Sequence, residues 1–316
     1  MKKNENFVKK SFPYLNLEAY SQSAQKYKAN QVDNYTDEPP SYDHAVQASL
    51  EPENTVHLTG RFQDTSVDSY ARAEVFIQAH QSMINRFPTE LAAQAAKDGL
   101  IKRMSIDQAP HQNPYFCHPN STPHTNPALK VDLDQSTVQV WPNQTRQKII
   151  EDWDIIIQGT HPFLSLSDYG RPPQSTGFHY FEITVLDCAP NTVMAIGLAT
   201  KPYPVFRMPG WNKHSIGYHS DDGRKFCDDA SGGQDYGPQW GFGQTVGCRY
   251  DPVQGNVMFT LNGNPLGTAF QLLERRYYYP SFGADGPVKF FVNFGSQSFV
   301  HTPVDGNLWI GSILSV

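Results

Sequence analysis

The sequence predicts a mainly β protein, an antiparallel β-sandwich preceded by a short helical hairpin and a disordered N-terminal tail. Between residues 128 and 303 of the 316-residue chain, ten short runs are rich in β-branched and aromatic residues. Clusters of Gly, Pro, Asn and Asp separate the runs, as expected for strands joined by turns. Two antiparallel sheets packed face to face accommodate this many short strands. The runs are TVQVW, DIIIQG, HYFEITVLD, TVMAIGLAT, SIGYHS, RKFCD, TVGCRYD, NVMFTLNG, YYYPSFG and VKFFVNFG.

Two dipeptides predict tight turns within this β segment. Asn262-Gly263 lies between VMFTL and NPLGTAF, and Asp222-Gly223 lies between GYHS and RKFC. Both pairs accept positive φ at the two central positions of a type I′ turn. We therefore predict a two-residue hairpin at each dipeptide.

Alternation along HYFEITVLD predicts a core face and a solvent face, because successive side chains of a strand point to opposite sides. The predicted core face carries Phe181, Ile183 and Val185, and the predicted solvent face carries Tyr180, Glu182 and Thr184. Large rings are expected to pack between the sheets, and glycines to occupy turns or close sheet contacts. The rings are those of Trp211, Tyr218, Phe259 and Phe294, and the glycines are Gly217, Gly223, Gly247, Gly263 and Gly267.

Residues 66–103 predict a helical hairpin. Apolar residues recur every three to four positions from Val67 to Phe87, the pattern of an amphipathic helix, and Pro88 ends it. Thr89 is a suitable N-cap for a second helix, ELAAQAAKD, which Gly99 closes. So short a pair is expected to pack on the sandwich, with oligomerisation as the alternative.

Two further segments carry no periodic pattern. Residues 1–60 are polar throughout, which predicts a largely disordered tail. Residues 105–127 hold five prolines and three histidines, which predicts a linker. The spacing of His111, Cys117, His118 and His124 matches no closed zinc site, so we predict no metal and no cofactor.

Charge and composition exclude several classes of function. The net charge of −6 and the pI near 6.0 offer no basic surface for nucleic acid. The four cysteines form no CxxC pair, which favours a reducing, cytoplasmic setting. No apolar run approaches the roughly 18 residues of a membrane span. The start, MKKNENFVKKSFPYLNL, mixes lysines with apolar residues as a surface-lying membrane segment does, but Pro13 interrupts any helix there.

Motifs of the common enzyme classes are absent. The sequence contains no GxSxG, no GxxxxGK[ST], no GxGxxG between a strand and a helix, and no HExxH. One cluster mixes imidazole, thiol and carboxylate groups, but strand alternation is expected to scatter them over both faces of a hairpin. We predict no enzyme activity, and the alternative is an enzyme that uses this cluster. Its members are His214, His219, Asp221, Asp222, Cys227, Asp228 and Asp229.

Three long stretches carry a family resemblance. They are MPGWNKHSIGYHSDDGRKFC, YGPQWGFGQTVGCRYDPVQGNVMFTLNGNPLGTAF and YYYPSFGADGPVKFFVNFG. Over about residues 135 to 300, the chain resembles a SPRY domain, particularly the type in Ran-binding protein M. The resemblance implies a concanavalin-like jelly roll, a non-enzymatic β-sandwich that binds peptides or protein surfaces through loops at one edge.

The same resemblance implies three partner-binding regions. The first lies just before the Pro-Gly-Trp triplet and comprises Val205, Phe206, Arg207 and Met208. Exposed aromatic and Arg side chains there are expected to form a binding hot spot, with packing at the end of the core as the alternative. The second region is Asp285 and Gly286, and the third is the loop that contains Asp168, Tyr169, Gly170, Arg171 and Pro172.

A short motif in the tail points to a second partner. Pro39-Pro40-Ser41-Tyr42 matches the PPxY ligand of WW domains and is flanked by Asp37, Glu38 and Asp43. Consecutive prolines favour polyproline II, so the segment loses little entropy on docking into an aromatic groove. The string PPSYDHA resembles the motif by which arrestin-type adaptors engage HECT-type ubiquitin ligases. A bland proline-rich spacer is the alternative.

Together the two ends predict an adaptor that brings a target to a ubiquitin ligase. The chain resembles fungal SPRY adaptors that direct membrane transporters into endosomal and vacuolar sorting. Those adaptors carry a membrane anchor and place PPxY after the SPRY domain, whereas the motif here comes first and no span is predicted. The alternative is a scaffold in a multi-subunit ubiquitin ligase, as in Ran-binding protein M. The LisH and CTLH helices expected of such a scaffold do not follow the last predicted strand.

Overall fold

The structure of the chain is a computed structural model that describes residues 67–84, 104–107, 129–133, 136–142, 154–169, 177–230, 232–302 and 308–310. The predicted tail at 1–60, the second helix of the predicted hairpin and most of the predicted linker at 105–127 lie outside the described residues.

In the described part of the chain, one α-helix precedes a series of strands and a short 3₁₀ helix. The elements are α1 Val67–Ile84, β1 Leu129–Leu133, β2 Thr137–Pro142, β3 Ile155–Gln158, the 3₁₀ helix η1 Leu166–Tyr169, β4 Gly177–Cys188, β5 Met194–Ala199, β6 Ser215–His219, β7 Arg224–Cys227, β8 Gln234–Asp235, β9 Thr245–Asp251, β10 Asn256–Leu261, β11 Asn264–Phe270, β12 Tyr279–Ala284, β13 Val288–Asn293 and β14 Leu308–Trp309.

The described strands form two sheets that pack as a sandwich. The larger sheet has eight strands in the order β1-β2-β13-β4-β9-β10-β11, with β14 added beside β4. The smaller sheet has six strands in the order β3-β12-β5-β6-β7-β8. All pairings are antiparallel except that of β14 with β4. The predicted fold class is confirmed, and β1, β8, β11 and β14 add to the ten predicted runs.

The core lies between the two sheets and follows the predicted alternation. Phe181, Ile183 and Val185 of β4 are each 0% exposed and belong to this core. Tyr218 and Phe259 are buried in it, and Phe294 packs against its edge, as predicted. Burying each of these side chains contributes roughly 1.5–3 kcal/mol, so the period-2 pattern of β4 specifies which face turns inward.

One of the two predicted tight turns is confirmed. Asn262 and Gly263 both have positive φ, 51° and 82°, and Leu261 pairs with Asn264 across them. These two residues therefore form the predicted two-residue hairpin between β10 and β11.

The prediction for the second turn is wrong. Of Asp222 and Gly223, only Gly223 has positive φ, at 73°, and the loop runs from the end of β6 at His219 to the start of β7 at Arg224. Ser220 remains bonded to β5 through its backbone N–H and its hydroxyl, which lengthens the connection. The Asp222 carboxylate then accepts a hydrogen bond from the Arg224 N–H at 2.9 Å and closes the turn.

The predicted solvent face of β4 is wrong for Tyr180 and Glu182. They are only 2% and 4% exposed, whereas Thr184 is half-buried. The chain after β13 crosses this face, where the Phe299 ring packs edge-on against Tyr180 at 4.8 Å. The Glu182 carboxylate accepts hydrogen bonds from the Val300 N–H at 3.1 Å and from the Tyr180 hydroxyl at 3.1 Å. A buried carboxylate needs such donors, so this segment replaces water on the outer face.

The prediction for Trp211 is also wrong, because its ring does not lie between the sheets. Trp211 is 5% exposed and clusters with Met208, Phe226 and Ala195. Ala195 precedes Ile196, which points into the intersheet core, so this second cluster lies on the outer face of the six-stranded sheet. The residues that cover this face belong to the long connection between β5 and β6.

The first residues of the predicted linker pack on the sandwich, which differs from the prediction. Ile106 is 3% exposed in the core and forms an isolated antiparallel bridge with Gly159. Beside it, the Lys201 ammonium lies 2.5 Å from the Asp107 carboxylate, with the two side chains 3% and 16% exposed. Lys201 also donates to the Gly159 carbonyl at 3.1 Å. Burial lowers the pKa of Lys201, and Asp107 opposes that shift.

The ion pair between Lys201 and Asp107 predicts a measurable stability effect. Asp107→Ala leaves a buried ammonium without its carboxylate, and we expect the free energy of unfolding to fall by about 3–5 kcal/mol. Chemical denaturation measures this change. The double change Asp107→Leu with Lys201→Met removes both charges and is expected to recover most of the loss. Equal losses in the single and double variants would contradict the account.

Candidate partner-binding surface

The connection between β5 and β6, residues 200–214, folds back over the outer face of the six-stranded sheet; we call it the β5–β6 loop. The Tyr203 hydroxyl organises it by donating to the Met208 carbonyl at 2.8 Å and accepting from the Asn212 N–H at 3.1 Å. The Ser215 hydroxyl lies 3.0 Å from the Tyr203 hydroxyl oxygen and accepts a hydrogen bond from the Gly210 N–H at 3.0 Å. Burial raises the pKa of Tyr203, so the hydroxyl keeps the proton that it donates.

Two further contacts press this loop onto the sheet. The Ile156 N–H on β3 donates to the Val205 carbonyl at 3.1 Å. At the centre of the sheet, a Cβ on Gly217 would lie only 2.2 Å from the Pro209 carbonyl oxygen. Only glycine allows the loop backbone to approach β6 this closely.

The predicted exposure of the first partner-binding region is wrong. Phe206, Arg207 and Met208 are 8%, 1% and 0% exposed, and Val205 is half-buried. Met208 belongs to the cluster beneath the loop, so it packs inward and holds the loop in place. The hot-spot interpretation required free Phe206 and Arg207 side chains, and in this structure another part of the chain covers both.

Helix α1 is the covering element. The Arg72 guanidinium lies over the Phe206 ring, 4.4 Å from its centroid. The Arg207 guanidinium lies over the Tyr70 ring at 5.8 Å. Each partner thus supplies one ring and one cation, a pairing that contributes about 0.5–2 kcal/mol per contact depending on desolvation. The predicted first helix of the hairpin therefore packs against the β5–β6 loop.

The second predicted region lies at one end of the six-stranded sheet. The Asp285 carboxylate accepts a hydrogen bond from the Val193 N–H at 2.7 Å, and the Asp285 N–H donates to the Val193 carbonyl at 3.0 Å. Gly286 is buried, and a Cβ there would lie 2.6 Å from the Thr192 hydroxyl. Val193 packs against the cluster beneath the β5–β6 loop, so the first two predicted regions are neighbours.

The third predicted region lies elsewhere. Tyr169 packs with Leu166 and Ile310 beside the start of β4 at Gly177. Asp285 lies near the opposite end of β4, where Val288 pairs with Cys188. The structure therefore does not gather the three regions at one edge. Gly170, Arg171 and Pro172 lie outside the described residues.

Residues of the mixed cluster at 214–229 have structural contacts. Its His219 ring donates from Nε2 to the Pro209 carbonyl at 2.9 Å and packs against Phe226 at 4.2 Å. Burial lowers the pKa of His219 to about 4, so the ring is neutral and anchors the β5–β6 loop. Burial raises the pKa of Cys227 to about 12, which keeps its thiol protonated. Within the described ranges, no three His, Cys, Asp or Glu residues could hold a metal ion.

Residues that the sequence analysis did not select carry much of this surface. Tyr203, the centre of the loop's hydrogen bonds, lies in KPYPVFRMPG, where three prolines indicate a constrained segment. Tyr70 and Arg72 lie on α1 beside the buried Ala71 and Ala73. A helical apolar pattern identifies the buried face of such a helix but does not identify the surface that it meets.

Tyr203 provides a direct test of the loop's hydrogen bonds. Tyr203→Phe deprives the Met208 carbonyl and the Asn212 N–H of a partner, and we expect the free energy of unfolding to fall by about 1–3 kcal/mol. Tyr250→Phe is the matched control, because the Tyr250 hydroxyl makes no hydrogen bond to the described residues. Thermal or denaturant unfolding measures both changes, and equal stability of the two variants would contradict the role of Tyr203.

Asp285 predicts a specific dependence of stability on pH. Burial, followed by the nearby Asp221 charge, raises the pKa of Asp285 from 3.8 to about 6. Because the folded state holds the proton more tightly than the unfolded state, this group stabilises the fold below about pH 4. That stability is lost as the pH rises through about 6.

Asp285→Asn keeps an oxygen for the Val193 N–H and removes the titration. Relative to the variant, we expect wild type to lose about 1 kcal/mol between pH 4 and pH 6.5, allowing for solvent screening of a half-buried carboxyl. His219 titrates with the opposite sign but is present in both proteins, so it cancels in the difference. Unfolding curves at several pH values measure the effect, and parallel pH profiles would contradict it.

Comparison with known proteins finds relatives of part of the chain. Protein ssh4 of Sclerotinia sclerotiorum is 39% identical over 137 residues, which is 43% of this chain and 26% of that protein. Ran-binding protein 10 of Danio rerio is 37% identical over 145 residues, 46% of this chain and 22% of that protein. A crystal structure of a human SPRY domain, 22% identical, covers 54% of this chain and 99% of its own length with a TM-score of 0.42.

The chain therefore spans about a quarter of the length of the curated relatives that it matches. The family model of the SPRY domain matches residues 178–297. These residues run from Phe178 in β4 past the end of β13, with the β5–β6 loop and the Asp285 turn among them. This part of the chain is a SPRY domain.

Proposed function

We propose that the protein is a non-enzymatic adaptor. Its PPxY motif, Pro39, Pro40 and Tyr42, recruits a HECT-type ubiquitin ligase through WW domains, and its SPRY domain binds a target protein. The single observation that carries this proposal is a WW ligand motif on the same chain as a SPRY domain. SPRY is a protein-interaction fold, so both ends of the chain have a recognition role.

The sequence of the motif suits a WW domain. Pro39 and Pro40 restrict φ to about −65° and favour the polyproline II conformation that WW domains bind. Tyr42 supplies an aromatic anchor, and the neighbouring Asp37, Glu38 and Asp43 keep the segment polar. The motif lies outside the described residues. It precedes α1 by 24 residues, from 43 to 66, which leaves length for a ligase to reach it.

On the SPRY domain, the proposed target surface is the β5–β6 loop together with the adjoining Asp285-Gly286 turn. Phe206 and Arg207, which α1 covers in this structure, are the aromatic and Arg residue types that dominate binding energy at interfaces. The turn contributes a half-buried carboxylate and a backbone rigidly bonded to Val193. Tyr169 and Arg171 belong to a separate loop, which we propose as a secondary contact region.

An adaptor of this kind acts by proximity. When one chain binds both a ligase and a target, the effective concentration of target near the ligase rises to about millimolar values. The consequence is ubiquitin-dependent sorting or degradation of the target, with a membrane transporter as one candidate. We propose a cytoplasmic protein that partners recruit to endosomal or vacuolar membranes. No helix in the described ranges is long and apolar enough to cross a membrane.

A second candidate function is a scaffold or substrate-receptor subunit of a multi-subunit ubiquitin ligase. The observation that favours it is the 37% identity to Ran-binding protein 10 over 145 residues of the SPRY region. The two functions differ in what the PPxY motif does. A scaffold needs no WW domain for assembly, whereas the adaptor loses its ligase when the motif is altered.

The Tyr42 side chain predicts the outcome of a binding experiment. Immobilised WW domains of a HECT-type ligase are expected to retain the wild-type chain, and Tyr42→Ala is expected to weaken binding at least about tenfold, which corresponds to about 1.4 kcal/mol. Tyr35→Ala is the matched control, because it removes a tyrosine from the same tail outside the motif. Equal retention of wild type and Tyr42→Ala, or retention of neither, would remove the adaptor proposal.

A further inference from the structure

The contact between α1 and the β5–β6 loop has the composition of a binding interface. Arg72 stacks on Phe206 at 4.4 Å, and Arg207 lies over Tyr70 at 5.8 Å. Tyr and Arg are the residue types most enriched at the energetic centres of protein interfaces. The two contacts are reciprocal, since each side gives one cation and one ring to the other. Such pairing is specific, because a shift of α1 along the loop would break both contacts together.

Burial supports this interpretation of the loop. Phe206 and Arg207 are 8% and 1% exposed although they lie on a loop between two strands. An arginine is almost never fully buried unless another group pairs with it or covers it. In the same turn of α1, the small residues Ala71 and Ala73 are 3% and 2% exposed, so the helix segment that carries Tyr70 and Arg72 is well covered. Gln78 and Gln81, further along the helix, are exposed.

We propose that α1 is an intramolecular ligand of the surface formed by Phe206 and Arg207, so that a target segment reaches this surface only when α1 leaves it. The role of the target rests on the function proposed above, whereas the covering of the surface by α1 does not. The surface is then a helix-binding site, and the ligand that fits it is an amphipathic helix with a tyrosine and an arginine two positions apart.

The arithmetic of tethering shows that a weak contact is sufficient. A segment on the same chain has an effective concentration of about 1 mM. If free α1 bound the surface with a Kd of about 0.1 mM, the surface would be covered about nine-tenths of the time. An outside ligand would then bind about tenfold more weakly than to the uncovered surface. Release of α1 would raise target affinity by the same factor.

The test uses the full chain and a labelled synthetic peptide of residues 67–84, VDSYARAEVFIQAHQSMI, as the probe. In the chain, Tyr70→Ala with Arg72→Ala removes the helix side of both contacts. We expect this variant to bind the peptide at least about tenfold more tightly than wild type does. Gln78→Ala with Gln81→Ala is the matched control on the exposed face and is expected to behave as wild type. A peptide that carries the Tyr70→Ala and Arg72→Ala changes is expected not to bind.

Two outcomes would overturn the proposal: equal binding of the peptide by wild type and by the double variant, or no binding by a double variant whose unfolding curve shows an intact fold. A measurement on isotope-labelled wild type covers the case in which the variant does not fold. Excess peptide is expected to accelerate amide hydrogen exchange across residues 67–84 of the chain, and unchanged exchange also overturns the proposal. Neither measurement involves Tyr42 or a WW domain, so failure here leaves the adaptor proposal standing, and the reverse also holds.

Discussion

The hydrogen bonds of the Tyr203 hydroxyl are the constraint on which the candidate site depends. They join the Met208 carbonyl and the Asn212 N–H, two points of one loop, next to Ser215 at the start of β6. They fix the internal shape of the β5–β6 loop, whose own sequence has no strand period, and the bonds from Ile156 and His219 attach it to the sheet. With them, the loop becomes a fixed layer on the outer face of the six-stranded sheet. Met208 and Trp211 pack beneath it.

On this side of the six-stranded sheet, the sheet, the β5–β6 loop and α1 form three stacked layers. The groups at the level nearest the sheet are kept neutral or paired. His219 has a lowered pKa and donates to the Pro209 carbonyl, and Lys201 is held by Asp107. Between the loop and α1, the guanidinium groups of Arg72 and Arg207 face aromatic rings. A rigid loop of this kind suits recognition, because little conformational entropy is lost on binding.

The sequence predicts the sandwich well, because the signals that determine it are local. Alternation places Phe181 in the core, and Asn262-Gly263 determines its own turn through φ alone. The wrong predictions concern residues whose burial or turn conformation depends on contacts with another segment of the chain. Strand alternation predicts that Glu182 faces solvent, but the segment that contains Val300 covers it. The Asp-Gly dipeptide predicts a type I′ turn at Asp222, but Ser220 is bonded to β5 and the connection is longer. The local pattern of apolar and polar residues in a strand or turn does not predict these contacts with other segments.

The candidate site was predicted in part for the same reason. The family resemblance selects the β5–β6 loop and Asp285 as candidate regions, and the structure shows that they are neighbours. The exposure of Phe206 and Arg207 depends on α1, which lies more than a hundred residues earlier. An apolar face on α1 predicts that the helix packs somewhere, and only the structure shows where. The motif that contains Tyr42 is identified from four consecutive residues, and its proposed binding to a WW domain does not depend on the fold of this chain.

The most direct test of the central claim is a contact measurement in solution. Nuclear Overhauser effects between the Phe206 ring protons and the Arg72 side chain report on separations of about 5 Å or less, which is the scale of a cation–π contact. The account predicts these effects in the wild-type chain and their loss on Tyr70→Ala with Arg72→Ala, with the Phe206 ring then showing the chemical shifts of a solvent-exposed ring. A Phe206 ring that is already exposed in wild type, without contacts to Arg72, would contradict it.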